Sequence, residues 1–109
     1  MRKYDGVFLF DSSLEDQVLE EKIRKIQETI QENGGEVLEM NRWGRMPLAY
    51  PVKKQKNGYY FITRFSGNPV VLQKLAEAFK YEESLLRHLI TKSEGGSLQR
   101  EPLSERGDR

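Results

Sequence analysis

The side chains able to do chemistry in this sequence are few, and most stand in the wrong company for it. One histidine, His88, follows Arg87. A lone imidazole cannot assemble a metal cluster, and beside Arg87 a solvated or hydrogen-bonded structural role outweighs catalysis. Adjacent carboxylates occur at Glu20/Glu21 and Glu82/Glu83, but they fall on polar helical surfaces and read as solvated faces. No serine is placed with a base and an orienting acid. Cysteine is absent, which excludes disulfides, thiolate catalysis and any zinc or iron–sulfur site that needs sulfur. Gly34-Gly35 ends a helix instead of opening one, so it lacks the amide-rich N-terminus that binds anions. The expectation is a protein with no catalytic residues, no metal, no cofactor and no small-molecule substrate.

What the sequence does concentrate is positive charge. The whole chain carries 18 Lys+Arg against 17 Asp+Glu in 109 residues. Yet the stretch from Arg42 to Arg64 holds six basic residues (Arg42, Arg45, Lys53, Lys54, Lys56, Arg64) and no acid. Segment 13–33 is the counterpart, with six acids (Glu15, Asp16, Glu20, Glu21, Glu28, Glu32) and three bases (Lys22, Arg24, Lys25). One basic edge and one acidic flank suit a polyanion bound in a fixed orientation. A scatter of solubilising lysines explains the same counts without a ligand. Asn57-Gly58-Tyr59-Tyr60-Phe61-Ile62 partly echoes the third-strand motif of RNA-recognition domains, whose rings stack bases. It departs at Asn57 (basic in the motif), Tyr60 (small) and Arg64 (aromatic), so packing within a sheet is the stronger reading of these rings.

The elements that must position these groups follow from periodicity. Residues 4–10 are short, apolar and aromatic, a strand covered on both faces. Leu19, Ile23, Ile26 and Ile30 recur at helical spacing, predicting a helix over 13–33, with Ser12 and Glu15 at capping-box positions and Asn33-Gly34-Gly35 as the stop. A weakly alternating strand runs from Glu36 to Leu48. Pro47 and Pro51 place it at an edge or make its end irregular. A polar loop is expected at 52–58, then a strong aromatic and β-branched strand at 59–65. Asn68-Pro69 opens a second helix burying Leu72, Leu75 and Phe79, and a last strand spans 85–91.

The order β-α-β-β-α-β closes most naturally as an α+β, ferredoxin-like domain: a four-stranded antiparallel sheet with two helices on one face. That domain is expected over 1–93. The tail 94–109, with Gly95-Gly96 and mixed charge, lacks the apolar density to pack and is expected to be flexible. No apolar stretch approaches the ~20 residues that cross a bilayer, and the N-terminus shows no signal-peptide pattern. No membrane partner is therefore expected. Helices on one sheet face leave the other to something besides water, since strands one and three are apolar on both sides.

Trp43-Gly44-Arg45-Met46-Pro47-Leu48-Ala49-Tyr50-Pro51-Val52-Lys53-Lys54 resembles the second-strand signature of the bacterial small-subunit ribosomal protein six family. Met1-Arg2-x-Tyr4, Gly58-Tyr59, Phe79-Lys80-Tyr81, Leu86-Arg87 and Lys92 extend the resemblance over residues 1–93. The resemblance implies a ribosomal protein of the bacterial cytoplasm that does no chemistry. It would bind the central domain of small-subunit ribosomal RNA as a heterodimer with ribosomal protein eighteen. By position it implies an RNA-facing set of Arg2, Tyr4, Arg87 and Lys92, with Lys54 on the loop and Arg45 as a further phosphate contact. Met46 and Pro47 depart from the basic or polar residues often found there, so that stretch contributes less charge. Trp43, Tyr50 and Tyr60 are candidates for the protein partner, since large rings anchor interfaces; packing in the chain's own core accounts for them equally. The alternative is a small regulatory βαββαβ module that binds a ligand and dimerises through its sheet. It leaves the basic run unexplained, and only one of its two strand–helix turns, Ser66-Gly67-Asn68, carries the glycine it calls for.

Overall fold

A computed structural model describes residues 2–52 and 54–93. The elements run β1 (Arg2–Asp11), α1 (Asp16–Glu32), β2 (Glu36–Val52), β3 (Gln55–Gly67), α2 (Pro69–Ala78) and β4 (Leu85–Lys92). The strands form one antiparallel sheet in the order β2-β3-β1-β4, the expected α+β architecture. The expected tail, 94–109, lies outside the described residues. No helix among those described is long and apolar enough to cross a membrane.

Parity along β1 and β3 divides the interior into two layers. Tyr4, Phe8 and Phe10 of β1 and Tyr59, Phe61 and Phe65 of β3 face the helices, where they meet Leu19, Ile23, Ile26 and Ile30 of α1 and Val71 and Leu75 of α2. The opposite parity, Leu9 with Tyr60 and Ile62, builds a second cluster with Trp43, Val52 and Leu86. Each large side chain so buried stabilises the fold by about 1.5–3 kcal/mol, and the central strands use both faces for it. Within α2, Val71 is the interior residue and Leu72 is only half-buried, which corrects the expected face by one position.

Two starts differ from the pattern. α1 begins at Asp16, not residue 13, because Asp11 captures the preceding turn: its Oδ1 accepts from the Ser13 amide at 2.9 Å and the Ser13 hydroxyl at 2.8 Å. Glu15 then occupies the N-cap without a side-chain cap bond, so the Ser12/Glu15 capping box does not form. β3 begins at Gln55, so the expected polar loop is largely strand. The reversal is tight, with Lys54 in the left-handed region at φ 68°.

β2 is the irregular strand. Its pairing with β3 shifts between Val37 and Glu39, between Arg42 and Gly44, and between Pro47 and Val52. The second shift is a bulge in which Trp43 is the extra residue and Gly44 takes φ 89°, a conformation that suits glycine. The third is an arch: Leu48, Ala49, Tyr50 and Pro51 stand between the pairs Pro47↔Asn57 and Val52↔Gln55. Leu48 and Tyr50 of this arch pack on the second cluster. The face that the helices leave is thus partly covered by the chain's own β2.

Candidate nucleic-acid interface

The bulge decides what the basic run can do. Arg42 and Arg45 are three positions apart, which on a regular strand puts them on opposite faces. The extra residue at Trp43 restores a common face, toward α1. Arg42 grips Glu20 through Nε (3.0 Å) and Nη2 (2.9 Å). Arg45 donates Nε to the Ser12 carbonyl (2.8 Å) and Nη2 to the Leu14 carbonyl (2.7 Å), pairs Nη1 with Asp16 (3.0 Å), and lies over the Tyr59 ring at 5.7 Å. On the other face Arg64 holds Asp5 through Nε at 2.8 Å, with Glu39 at 3.8 Å. The Asp5 hydrogen bond, opposed by burial, pushes the Arg64 guanidinium further toward its charged form. A run without acids in sequence is therefore supplied with acids from β1, α1 and β2 in space. Arg45 in particular clamps the β1–α1 turn, with a side chain that is still 43% exposed.

Other cations have no ion pair to a described residue, on or beside the helices (Arg24, Lys25, Lys80) as well as on the sheet. Lys54 is exposed at the β2–β3 reversal, beside exposed Lys56. Arg2 and Lys92 are both exposed; Lys92 is opposite Tyr4 in the β1–β4 register, and Arg2 is two residues back along β1. That makes Arg2 and Lys92 diagonal neighbours on one face. Arg87 is opposite Leu9, hence on the face away from the helices. It sits roughly 17 Å from Lys92 along the same strand. Lys54 is at the far end of the sheet from Arg2, about 30 Å along β1. The structure thus brings Arg2 and Lys92 together on the helix-side face, puts Arg87 on the opposite face of the same β4 edge, and sets Lys54 apart.

The aromatic candidates sort by burial. Tyr4 is 6% exposed and packs its ring 5.6 Å from Phe65 in the helix-side core, so its ring is a core element. Its parity with Phe8 and Phe10 already carries that signal. Trp43 and Tyr60 are buried, with ring centroids 6.0 Å apart, and form the floor beneath the arch. Tyr50 is half-buried, and its hydroxyl accepts a hydrogen bond from Arg87 Nη1 at 3.1 Å. His88 stacks on Phe8 at 6.3 Å and 17°, a structural position. Exposed Leu89 faces Val7 on the uncovered part of the sheet; strand alternation in β4 is the signal that would have found it.

Comparison with known proteins places this geometry. Residues 3–92 match the ribosomal protein S6 family. The chain is similar to small ribosomal subunit protein bS6 of Heliobacterium modesticaldum, 35% identical over 94 residues that cover 86% of this chain and 98% of that one. The bS6 protein of Moorella thermoacetica is also 35% identical over 94 residues, covering 86% and 96%. The fold matches the crystal structure of 30S ribosomal protein S6 from Thermotoga maritima with a TM-score of 0.80 at 22% identity, over 84% of this chain and 87% of that one. With a family match over residues 3–92 and 35% identical relatives covered almost end to end, the chain belongs to the ribosomal protein S6 family, structural and non-enzymatic components of the small ribosomal subunit in the cytoplasm.

Proposed function

We propose that this chain binds the central domain of small-subunit ribosomal RNA as a heterodimer with ribosomal protein eighteen. The observation that carries the RNA side is the contrast among its cations. Arg42, Arg45 and Arg64 are spent on the chain's own carboxylates and carbonyls. Arg2, Lys54, Arg87 and Lys92 have donors without partners among the described residues, available to phosphate, where each contact releases counterions. Strands hold Arg2, Arg87 and Lys92 at fixed spacing, and a tight reversal holds Lys54, which suits RNA read by shape. The partner side is supported by the uncovered strip of the open face, where Val7 and exposed Leu89 lie side by side. The ligand-binding alternative drew on an open apolar face, and the arch already covers part of it.

Arg87→Ala and Lys92→Ala should each weaken assembly with a central-domain transcript in the presence of ribosomal protein eighteen, lower the salt slope by about one, and leave the fold intact. A variant that assembles like wild type, with an unchanged salt slope, removes that residue from the interface.

A further inference from the structure

We infer that Tyr50 is a positioning residue that presents the Arg87 guanidinium to phosphate. The inference rests on the reading of Arg87 as an RNA contact given above. Tyr50 belongs to β2 and Arg87 to β4, the two edges of the sheet, with β3 and β1 between them. Three strand spacings, roughly 14 Å, separate such edges. Only the Leu48–Pro51 arch, crossing the open face, brings the two side chains into contact.

The way they touch is selective. Tyr50 takes one proton of Arg87 Nη1 at 3.1 Å, and the guanidinium lies 5.9 Å from the ring centroid. The Nε–Nη2 edge is left without a partner among the described residues. In this same chain that edge is the gripping edge: Arg42 holds Glu20 through Nε and Nη2, and Arg64 holds Asp5 through the same two atoms. Arg87 is thus an arginine whose fork is complete, anchored by its third nitrogen and lacking only an anion. A free arginine loses rotamer freedom when it binds; one already held by a ring and a hydroxyl loses less. Tyr50 is assigned by this reasoning to the RNA side, through Arg87, and not to the protein partner.

The test compares Tyr50→Phe, Arg87→Ala and the double variant. Tyr50→Phe keeps the ring and its arch packing and removes only the acceptor. Affinity is measured for a central-domain transcript with ribosomal protein eighteen present, and for ribosomal protein eighteen without RNA. The order of the Arg87 Nε–H bond is read by nitrogen-15 relaxation on the free chain. Tyr50→Phe should weaken RNA binding about fivefold, the net contribution of one ordinary, partly exposed hydrogen bond. It should lower the Arg87 Nε–H order and leave partner affinity unchanged. In the Arg87→Ala background it should cost nothing more. A fivefold loss that persists in that background, or an equal loss of partner affinity, overturns the inference and leaves the reading of Arg87 standing. Unchanged RNA affinity or unchanged Arg87 order in Tyr50→Phe overturns it as well. If Arg87→Ala itself binds RNA normally, the reading of Arg87 falls and the inference with it.

Discussion

Replacing Arg45 with methionine tests whether the signature arginine is a clamp or a phosphate ligand. Methionine keeps an apolar stem over Tyr59 and removes the guanidinium. Two hydrogen bonds to the Ser12 and Leu14 carbonyls are lost, at 2.8 and 2.7 Å. Charged-donor bonds of this kind contribute about 1.5–3 kcal/mol each when buried. The Arg45 side chain is 43% exposed, so about 1 kcal/mol apiece is the fair share. Asp16 is 86% exposed, and such an ion pair adds about nothing. Contact with the Tyr59 ring adds roughly 0.5 kcal/mol. The total is about 2.5 kcal/mol, which at a urea slope of about 1.5 kcal/mol per molar moves the midpoint down by about 1.5 M. Trp43, the only tryptophan and buried beneath the arch, reports unfolding by fluorescence. The folded variant should bind the central-domain transcript within about twofold of wild type, since no phosphate contact is lost. A midpoint shift below about 0.3 M together with a collapse of RNA binding would refute the reasoning. Arg45→Lys should recover little, because one ammonium cannot reproduce the two-carbonyl geometry.

A pH-linked clamp joins α1 to the turn before β4. Burial pushes the Glu82 carboxyl up, but the Lys22 ammonium (2.6 Å) and the Ser84 hydroxyl (2.7 Å) together pull it further down, so its pKa in the folded chain lies below the ordinary 4.5. A depressed folded pKa means stability that is complete above the unfolded value and lost as pH falls through the folded one. Urea stability should therefore decline as pH drops below 4.5, and Glu82→Gln should be less stable at neutral pH with a flatter acid limb; parallel limbs in the two proteins would remove Glu82 from the account. Gly44→Ala should cost about 1 kcal/mol. The cause is its φ of 89°, since an added Cβ meets nothing within 4 Å; an unchanged urea midpoint would mean that the bulge relaxes freely.

Most of the scaffold was readable because it rests on short-range repetition. The four isoleucines and leucines of α1 and the rings of β3 announce themselves by spacing, and the order of elements closes in few ways. The interface was less readable because its outcome depends on contacts far apart in sequence. Arg42 meets an acid 22 residues away, and Arg45 meets carbonyls 31 and 33 residues away. Counting charge in a window cannot see either. The single extra residue at Trp43 decides which face both arginines take, and Gly44 was its one local sign. Tyr50 and Arg87 are 37 residues apart, joined by an arch whose only trace in sequence is the pair Pro47 and Pro51. For Tyr4 the local sign is its shared parity with Phe8 and Phe10, which matches its burial in the helix-side core.

We propose that Arg2, Lys54, Arg87 and Lys92, without ion pairs among the described residues, dock this chain onto folded ribosomal RNA. Co-sedimentation with small ribosomal subunits across a salt series measures it most directly. About four phosphate contacts predict comigration at low salt and an affinity roughly a hundredfold weaker at 200 than at 50 mM. Association that ignores salt, or a chain that never travels with the subunits, would contradict it.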